Sequence, residues 1–304
     1  MNDLNKKENS TEEHIIPQEA FDWYDEYAHG MIDRRVFLER LSSIAVGGLT
    51  MAALTSALMP TYANAEQVSF NDADIIASYE TFASPKGHKE GRGYLVKPKG
   101  HEGTGSVVLV IHENRGLNPY VKDVARRLAK DGFIAFAPDA LHSLGGYPGN
   151  DDKGRAMQKQ LDKKKLEQDF IAAAKFLKTH KLSNGKLGAV GFCFGGYIVN
   201  MLAATIPTEL DAGVPYYGTP AAKELRSNIK GPLMIQYGEL DKRVNASKDE
   251  YEEDLKAAKA VYKMHVYAGA NHGFHNDSTG RYDKEKAELA WKRTLEFFKE
   301  NLLV

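Results

Sequence analysis

The chain has 304 residues, 42% hydrophobic and 27% charged, with a formal net charge of −1. These are ordinary globular values for one large domain or two modest ones, and a near-neutral charge offers nothing to a nucleic-acid partner. A single cysteine, Cys193, excludes an intrachain disulfide, so the fold stands without such cross-links.

The charge is unevenly divided. Residues 1–65 hold 5 Lys/Arg and 10 Asp/Glu, a net of −5, and the remainder nets +4. That asymmetry marks 1–65 as a separate unit. A polar, acidic lead over 1–32 carries Phe21, Trp23, Tyr24 and Tyr27, which fit a flexible lead or a short amphipathic helix. Asp33-Arg34-Arg35-Val36-Phe37-Leu38 follows, and no charged residue occurs from Leu41 to Ala65. The arginine pair, the mildly apolar segment and the ending Ala63-Asn64-Ala65 resemble a twin-arginine export signal cleaved after Ala65. The resemblance implies passage through the twin-arginine export machinery to the periplasm or beyond. Glu39 and the acidic lead depart from the usual pattern. The other reading is a packed or membrane-lying helix over 36–59 that is never cleaved, in a cytoplasmic protein. The segment is too polar for a stable membrane span.

From Glu66 onward the pattern is α/β. Apolar, β-rich runs fall at 93–96, 107–112, 133–137, 187–191, 212–217, 233–237 and 262–267. Helical stripes lie between most of them. Asn118 as cap and Pro119 at the first position open one, Val121, Val124, Ala125, Leu128 and Ala129 give its apolar face, and Gly132 stops it. Leu166, Phe170, Ala173, Ala174 and Leu177 form another. Ala287, Trp291, Leu295, Phe298 and Leu302 form the last, behind the cap Asp283. Strands alternating with helices predict one domain, 66–304, with a mostly parallel sheet covered on both faces. The stretch 141–164, rich in Gly, Asp and Lys, reads as a surface excursion near the active-site mouth, with 142–164 a candidate lid.

One stretch carries the chemistry. Gly191-Phe192-Cys193-Phe194-Gly195-Gly196 follows a β-rich run and precedes a helical one, which is the strand–turn–helix setting of a nucleophile elbow. A turn that tight leaves no room for Cβ atoms at its flanks. The thiol then stands exposed at the tip, where the helix dipole favours a developing thiolate. A thiol nucleophile needs a base and a group to orient that base. In α/β-hydrolases the chain order is nucleophile, acid, histidine. Asp241 and His272 follow strand runs 48 and 79 residues beyond Cys193. Glu239 is a competing acid. The pair His272 and His275 lacks the metalloprotease spacing, so no metal is expected there. After the strand at 107–112, the loop His112-Glu113-Asn114-Arg115-Gly116 lies where the fold supplies one oxyanion-hole donor. The donors are then the backbone N–H groups of Asn114 and Phe194.

With Ala137-Pro138-Asp139, Gly238-Glu239-Leu240-Asp241 and Asn271-His272-Gly273-Phe274 also in order, residues 66–304 resemble the dienelactone hydrolase family. The resemblance implies an α/β-hydrolase fold, a triad of Cys193, Asp241 and His272, and hydrolysis of a small ester or lactone without metal or cofactor. It matches Glu113 to the family glutamate that interacts with the cysteine. It leaves Arg115 and Tyr217 as candidate substrate-binding residues. The family's namesake enzymes grip a substrate carboxylate with two arginines. At those positions this chain has Leu141-His142-Ser143-Leu144 and Asn276. Arg115 and Arg281 are the possible replacements, although the ordinary place for both is the surface or the site's periphery. Two rival readings differ in class. A glutamine amidotransferase would have a glutamate two residues after its histidine, where this chain has Phe274. A non-catalytic shell would bind a small molecule or sense oxidants through Cys193.

Overall fold

The computed structural model describes residues 16–45 and 50–303. The rest of the acidic lead, 1–15, and residues 46–49 of the mildly apolar segment lie outside the described residues. The chain divides between Met59 and Pro60 into two compact units.

In the first unit, α1 (Gln18–Ala28), α2 (Arg34–Ile44) and α3 (Met51–Leu58) are helical. Asp33 caps α2, its carboxylate accepting the Val36 N–H. Phe37 stacks on Tyr27 with ring centroids 5.0 Å apart, and both belong to a small buried cluster with Ala20, Tyr24 and Leu41. Arg34 and Arg35 therefore open a helix whose other face is packed. Among the described residues no helix is long and apolar enough to cross a membrane.

The second unit begins with the short helix α4 (Tyr62–Ala65) and has an eight-stranded sheet. Its strands are β1 (Ile75–Ser84), β2 (Lys89–Pro98), β3 (Gly105–Ile111), β4 (Ile134–Pro138), β5 (Ser183–Phe192), β6 (Ala212–Tyr216), β7 (Leu233–Gly238) and β8 (Tyr262–Tyr267). They lie in the order β1-β2-β4-β3-β5-β6-β7-β8. β1 to β2 and β2 to β4 are antiparallel, and every other pair is parallel. The helices are α5 (Pro119–Lys130), α6 (Asp151–Gln158), α7 (Lys163–Lys178), α8 (Phe194–Thr205), α9 (Lys242–Asn245), α10 (Lys248–Ala257) and α11 (Lys284–Leu302). Asn118 and Asp283 cap α5 and α11 through their side chains, as expected of those residue types.

The pleat of the central strands explains the two cores. On β3, Val107, Leu109 and Ile111 pack with α7 and α8 through Leu166, Phe170, Leu177, Ile198 and Leu202. Val108 and Val110 face the other way, onto α5 and α11, through Val121, Val124, Leu128, Phe298 and Leu302. Such continuous apolar strands suit a sheet buried on both faces. β1 was not visible in the sequence, and β2 is longer than the run at 93–96. The excursion over 141–164 contains α6, which buries Asp151, Gly154, Arg155 and Gln158. It is therefore packed against the domain, not simply laid over its surface.

Candidate active site

The carboxyl ends of β3, β5 and β6 lie side by side, with Ile111 opposite Gly191 and Gly191 opposite Pro215. In open α/β sheets this edge is where ligands bind. β5 ends at Phe192, α8 starts at Phe194, and Cys193 is the hinge, at φ 57° and ψ −110°. An L-residue with a side chain avoids that conformation, so the surroundings impose it. A Cβ on Gly191 would stand 2.1 Å from Gly195 O, and one on Gly195 2.2 Å from Ile111 O. Only glycine lets the start of α8 rest on the backbone of β3. Cys193 is 8% exposed, which corrects the expectation of a thiol standing free at the tip. The sulfur lies beside the ring of His272.

Sγ of Cys193 and a ring nitrogen of His272 lie within 4.8 Å of one another. Nδ1 of His272 is 2.5 Å from Asp241 Oδ2. The other Asp241 oxygen accepts the Val244 N–H at 3.1 Å, capping α9. With both oxygens engaged, the carboxylate holds one orientation and orients the ring. The competing acid, Glu239, is exposed and accepts the Gly269 N–H instead. His275 does not join His272. Its ring stacks on Phe192 at 5.1 Å, and Nδ1 meets the Tyr120 hydroxyl at 2.7 Å.

Glu113 is 1% exposed. Its Oε2 accepts the Asn276 amide at 3.1 Å and lies 3.8 Å from Arg115 Nε. Asn276 thus holds Glu113 at the position where the namesake enzymes carry an arginine. Arg115 is buried and donates to Asp151 on α6 at 2.8 Å. Arg281 is buried as well. Its guanidinium lies against Gly273, where an added Cβ would approach Cζ to 3.1 Å. Of the two places open to these arginines, the surface is therefore excluded, since each has a carboxylate or a backbone recess to fill. Tyr217, at φ 37°, is fully buried with its ring centroid 4.9 Å from that of His272. Burial, and after it the nearby Glu113 carboxylate, pushes its phenol well above the usual range, so it remains a donor. Asn114 lies in the turn after β3, and Phe194 is the first residue of α8, where N–H groups have no intrahelical acceptor.

His112 has a role that no motif signals. Its Nε2 accepts the Ala140 N–H at 3.1 Å, so the proton sits on Nδ1, which donates to the Glu113 carbonyl at 2.5 Å. The neutral ring ties the end of β3 to the segment after β4 and fixes the backbone that carries Glu113. Burial depresses its pKa, and burial with Arg127 depresses that of His275 further. Unfolding frees both rings to take up protons near pH 6.5, so stability is full above that pH and falls below it. We expect urea unfolding to show a loss on the order of 3 kcal/mol between pH 7.5 and pH 5. A flat profile across that window would remove the neutral assignment of both rings.

The strand order, the helices on both faces and the strained turn after β5 define an α/β-hydrolase-type protein. A family model described as "Dienelactone hydrolase family" matches residues 92–302. The chain belongs to the dienelactone hydrolase family and is a hydrolase of the ester or lactone type. The protein Usf of Aquifex pyrophilus is 36% identical over 226 residues, covering 69% of this chain and 94% of its own length. The YghX fragment of Escherichia coli K12 is 60% identical over 114 residues, 38% of this chain and 97% of that fragment. A solved chain from Klebsiella pneumoniae subsp. pneumoniae MGH 78578, named for this same family, superposes with a TM-score of 0.65. It is 27% identical, covering 74% of this chain and 99% of that one. Residues 8–47 match a second family model, described as "YqhI-like".

Proposed function

We propose that the chain hydrolyses a small carboxylic ester or lactone through a thioester on Cys193. The observation that carries this reading is the conformation of Cys193, strained at a strand–helix hinge with an Asp241-held imidazole beside its sulfur. His272 takes the thiol proton as the sulfur attacks the substrate carbonyl carbon. The backbone N–H groups of Asn114 and Phe194 receive the negative oxygen. The alcohol then leaves, taking the proton from the imidazolium. Water, losing a proton to His272, attacks the thioester, releases the acid and restores the thiol. Asp241 keeps the proton-accepting nitrogen turned toward the sulfur and stabilises the imidazolium. Glu113 discourages a standing thiolate charge until substrate rearranges the site. The Tyr217 hydroxyl is the substrate-side donor, while Arg115 is engaged by Asp151 and faces Glu113.

The test is a panel of short esters and lactones with intact-mass detection on Cys193. Turnover of at least one, with a transient acyl mass on that residue, is expected. Rapid alkylation of Cys193 without turnover of any member would favour the oxidant-sensing or binding reading.

We also propose that the chain is exported by the twin-arginine route, which rests on the sequence Asp33-Arg34-Arg35-Val36-Phe37-Leu38. A fusion of residues 1–70 to a reporter is expected in the periplasm, and Arg34→Lys with Arg35→Lys is expected to retain it inside. Equal distribution of both fusions would end that proposal.

A further inference from the structure

Thr61 and Tyr62 belong to the hydrolase unit, and their contacts run toward one carboxylate. The Thr61 N–H donates to Ser278 O at 2.6 Å. Ser278 donates through its N–H and hydroxyl to Asn276 Oδ1, at 3.1 and 2.6 Å. Those two bonds turn the Asn276 amide nitrogen outward, and it donates to Glu113 Oε2. On the other side, the Tyr62 O–H donates into the Asp151 carboxylate, 2.7 Å from both oxygens. Asn118 donates to the Tyr62 oxygen at 2.8 Å, and Tyr147 adds a further donor to Asp151 at 2.7 Å. Asp151 in turn holds Arg115, whose Nε faces the same Glu113 oxygen.

Two consecutive residues thus reach both neighbours of Glu113, one through Ser278 and Asn276, the other through Asp151 and Arg115. Thr61 itself is exposed, but the groups it and Tyr62 lead to are buried or half-buried, where an unpaired partner is costly and a satisfied network fixes geometry. Burial first, then the Asp151 charge, raises the Tyr62 phenol far above its usual range, so it donates at every working pH.

We propose that Thr61 and Tyr62 form a positioning strap for Glu113 and are part of the working hydrolase. The proposal rests on the reading that Glu113 acts at the Cys193 site. It has a consequence for processing, because cleavage after Ala65 would release both residues from the covalent chain. The active form therefore retains them.

The test uses the full-length chain. Tyr62→Phe keeps the ring and loses the hydroxyl, and Asp151→Asn weakens the same tie from the other end. Both are expected to lower kcat/KM on a 4-nitrophenyl ester about ten-fold, and to displace its pH profile. In a Glu113→Gln background neither change should cost anything further, which a merely structural residue would not show. The pH profile of Cys193 alkylation by iodoacetamide gives a second readout that needs no turnover. Wild-type profiles in both assays, or full additivity of Tyr62→Phe with Glu113→Gln, would overturn the strap. If the wild-type protein turns over no ester, the hydrolase reading fails separately and the alkylation profiles alone decide.

Discussion

Cys193→Ala is expected to reduce ester hydrolysis to background, a loss of about 10⁴-fold or more in kcat/KM. The reason is chemical: no other thiol exists in the chain, and a methyl group cannot form a thioester. His272→Ala should cost a comparable factor, because an unassisted thiol at that position lacks its proton acceptor. The double variant should be no worse than either single one, since residues acting as a unit fail together. Structure should survive these changes, and Cys193→Gly separates backbone from chemistry. At φ 57° and ψ −110° any Cβ is strained, at a cost of about 1–3 kcal/mol, which glycine relieves. Cys193→Gly is therefore expected to be inactive yet more stable than Cys193→Ala. Kinetics and chemical denaturation of the three variants check this. Residual wild-type rates in Cys193→Ala, or a Gly variant less stable than the Ala variant, would contradict the assignment or the strain.

How much of this was legible in the sequence depended on how local the cause was. The central strands are continuous apolar runs because both faces are covered, and helix caps such as Asn118 and Asp283 act within four residues, so both could be read directly. β1 could not. Most of Ile75–Ser84 is exposed, so it offers no apolar pattern, and pairing with β2 makes it a strand. α6 was hidden for a similar reason. Its sequence is polar with an internal glycine, and it is held by Asp151 on Arg115 and by Gly154 against Arg115 O, where a Cβ would come to 2.2 Å. In the site, the elbow is a run of six residues and shows itself. The tie between Asn276 and Glu113 spans 163 positions, and the one between Tyr62 and Asp151 spans 89. Nothing near either residue signals its partner. The place of Arg115, at the surface or at the site's periphery, stayed open in the sequence for the same reason, since its partner Asp151 lies 36 positions on.

The second large effect is expected from Gly195→Ala, and two opposing terms decide its sign. Alanine in the first turn of α8 gains about 1 kcal/mol of helix propensity over glycine. Against this, its Cβ would lie 2.2 Å from Ile111 O, 2.8 Å from Ile111 C and 2.9 Å from His112 O. All three are backbone atoms at or just past the end of a central strand, Ile111 being paired with Gly191 of β5, so they cannot swing away as a flexible side chain would. The helix must move instead. Overpacking of this kind costs about 1–3 kcal/mol, which outweighs the propensity gain. The displacement also carries Phe194 away from the loop that holds Asn114, widening the gap between the two proposed oxyanion donors. A shift near 1 Å at such a site lowers rate about 100-fold, and it should appear in kcat more than in KM, because the donors bind charge that develops only in the transition state. Gly185→Ala is the control. Gly185 has φ 88° with open space around its Cβ position, so the change should cost about 1 kcal/mol in stability and nothing in rate. If Gly195→Ala behaves like that control, the close seating of α8 on β3 is not what arms the elbow, and the strain at Cys193 must be sustained from elsewhere.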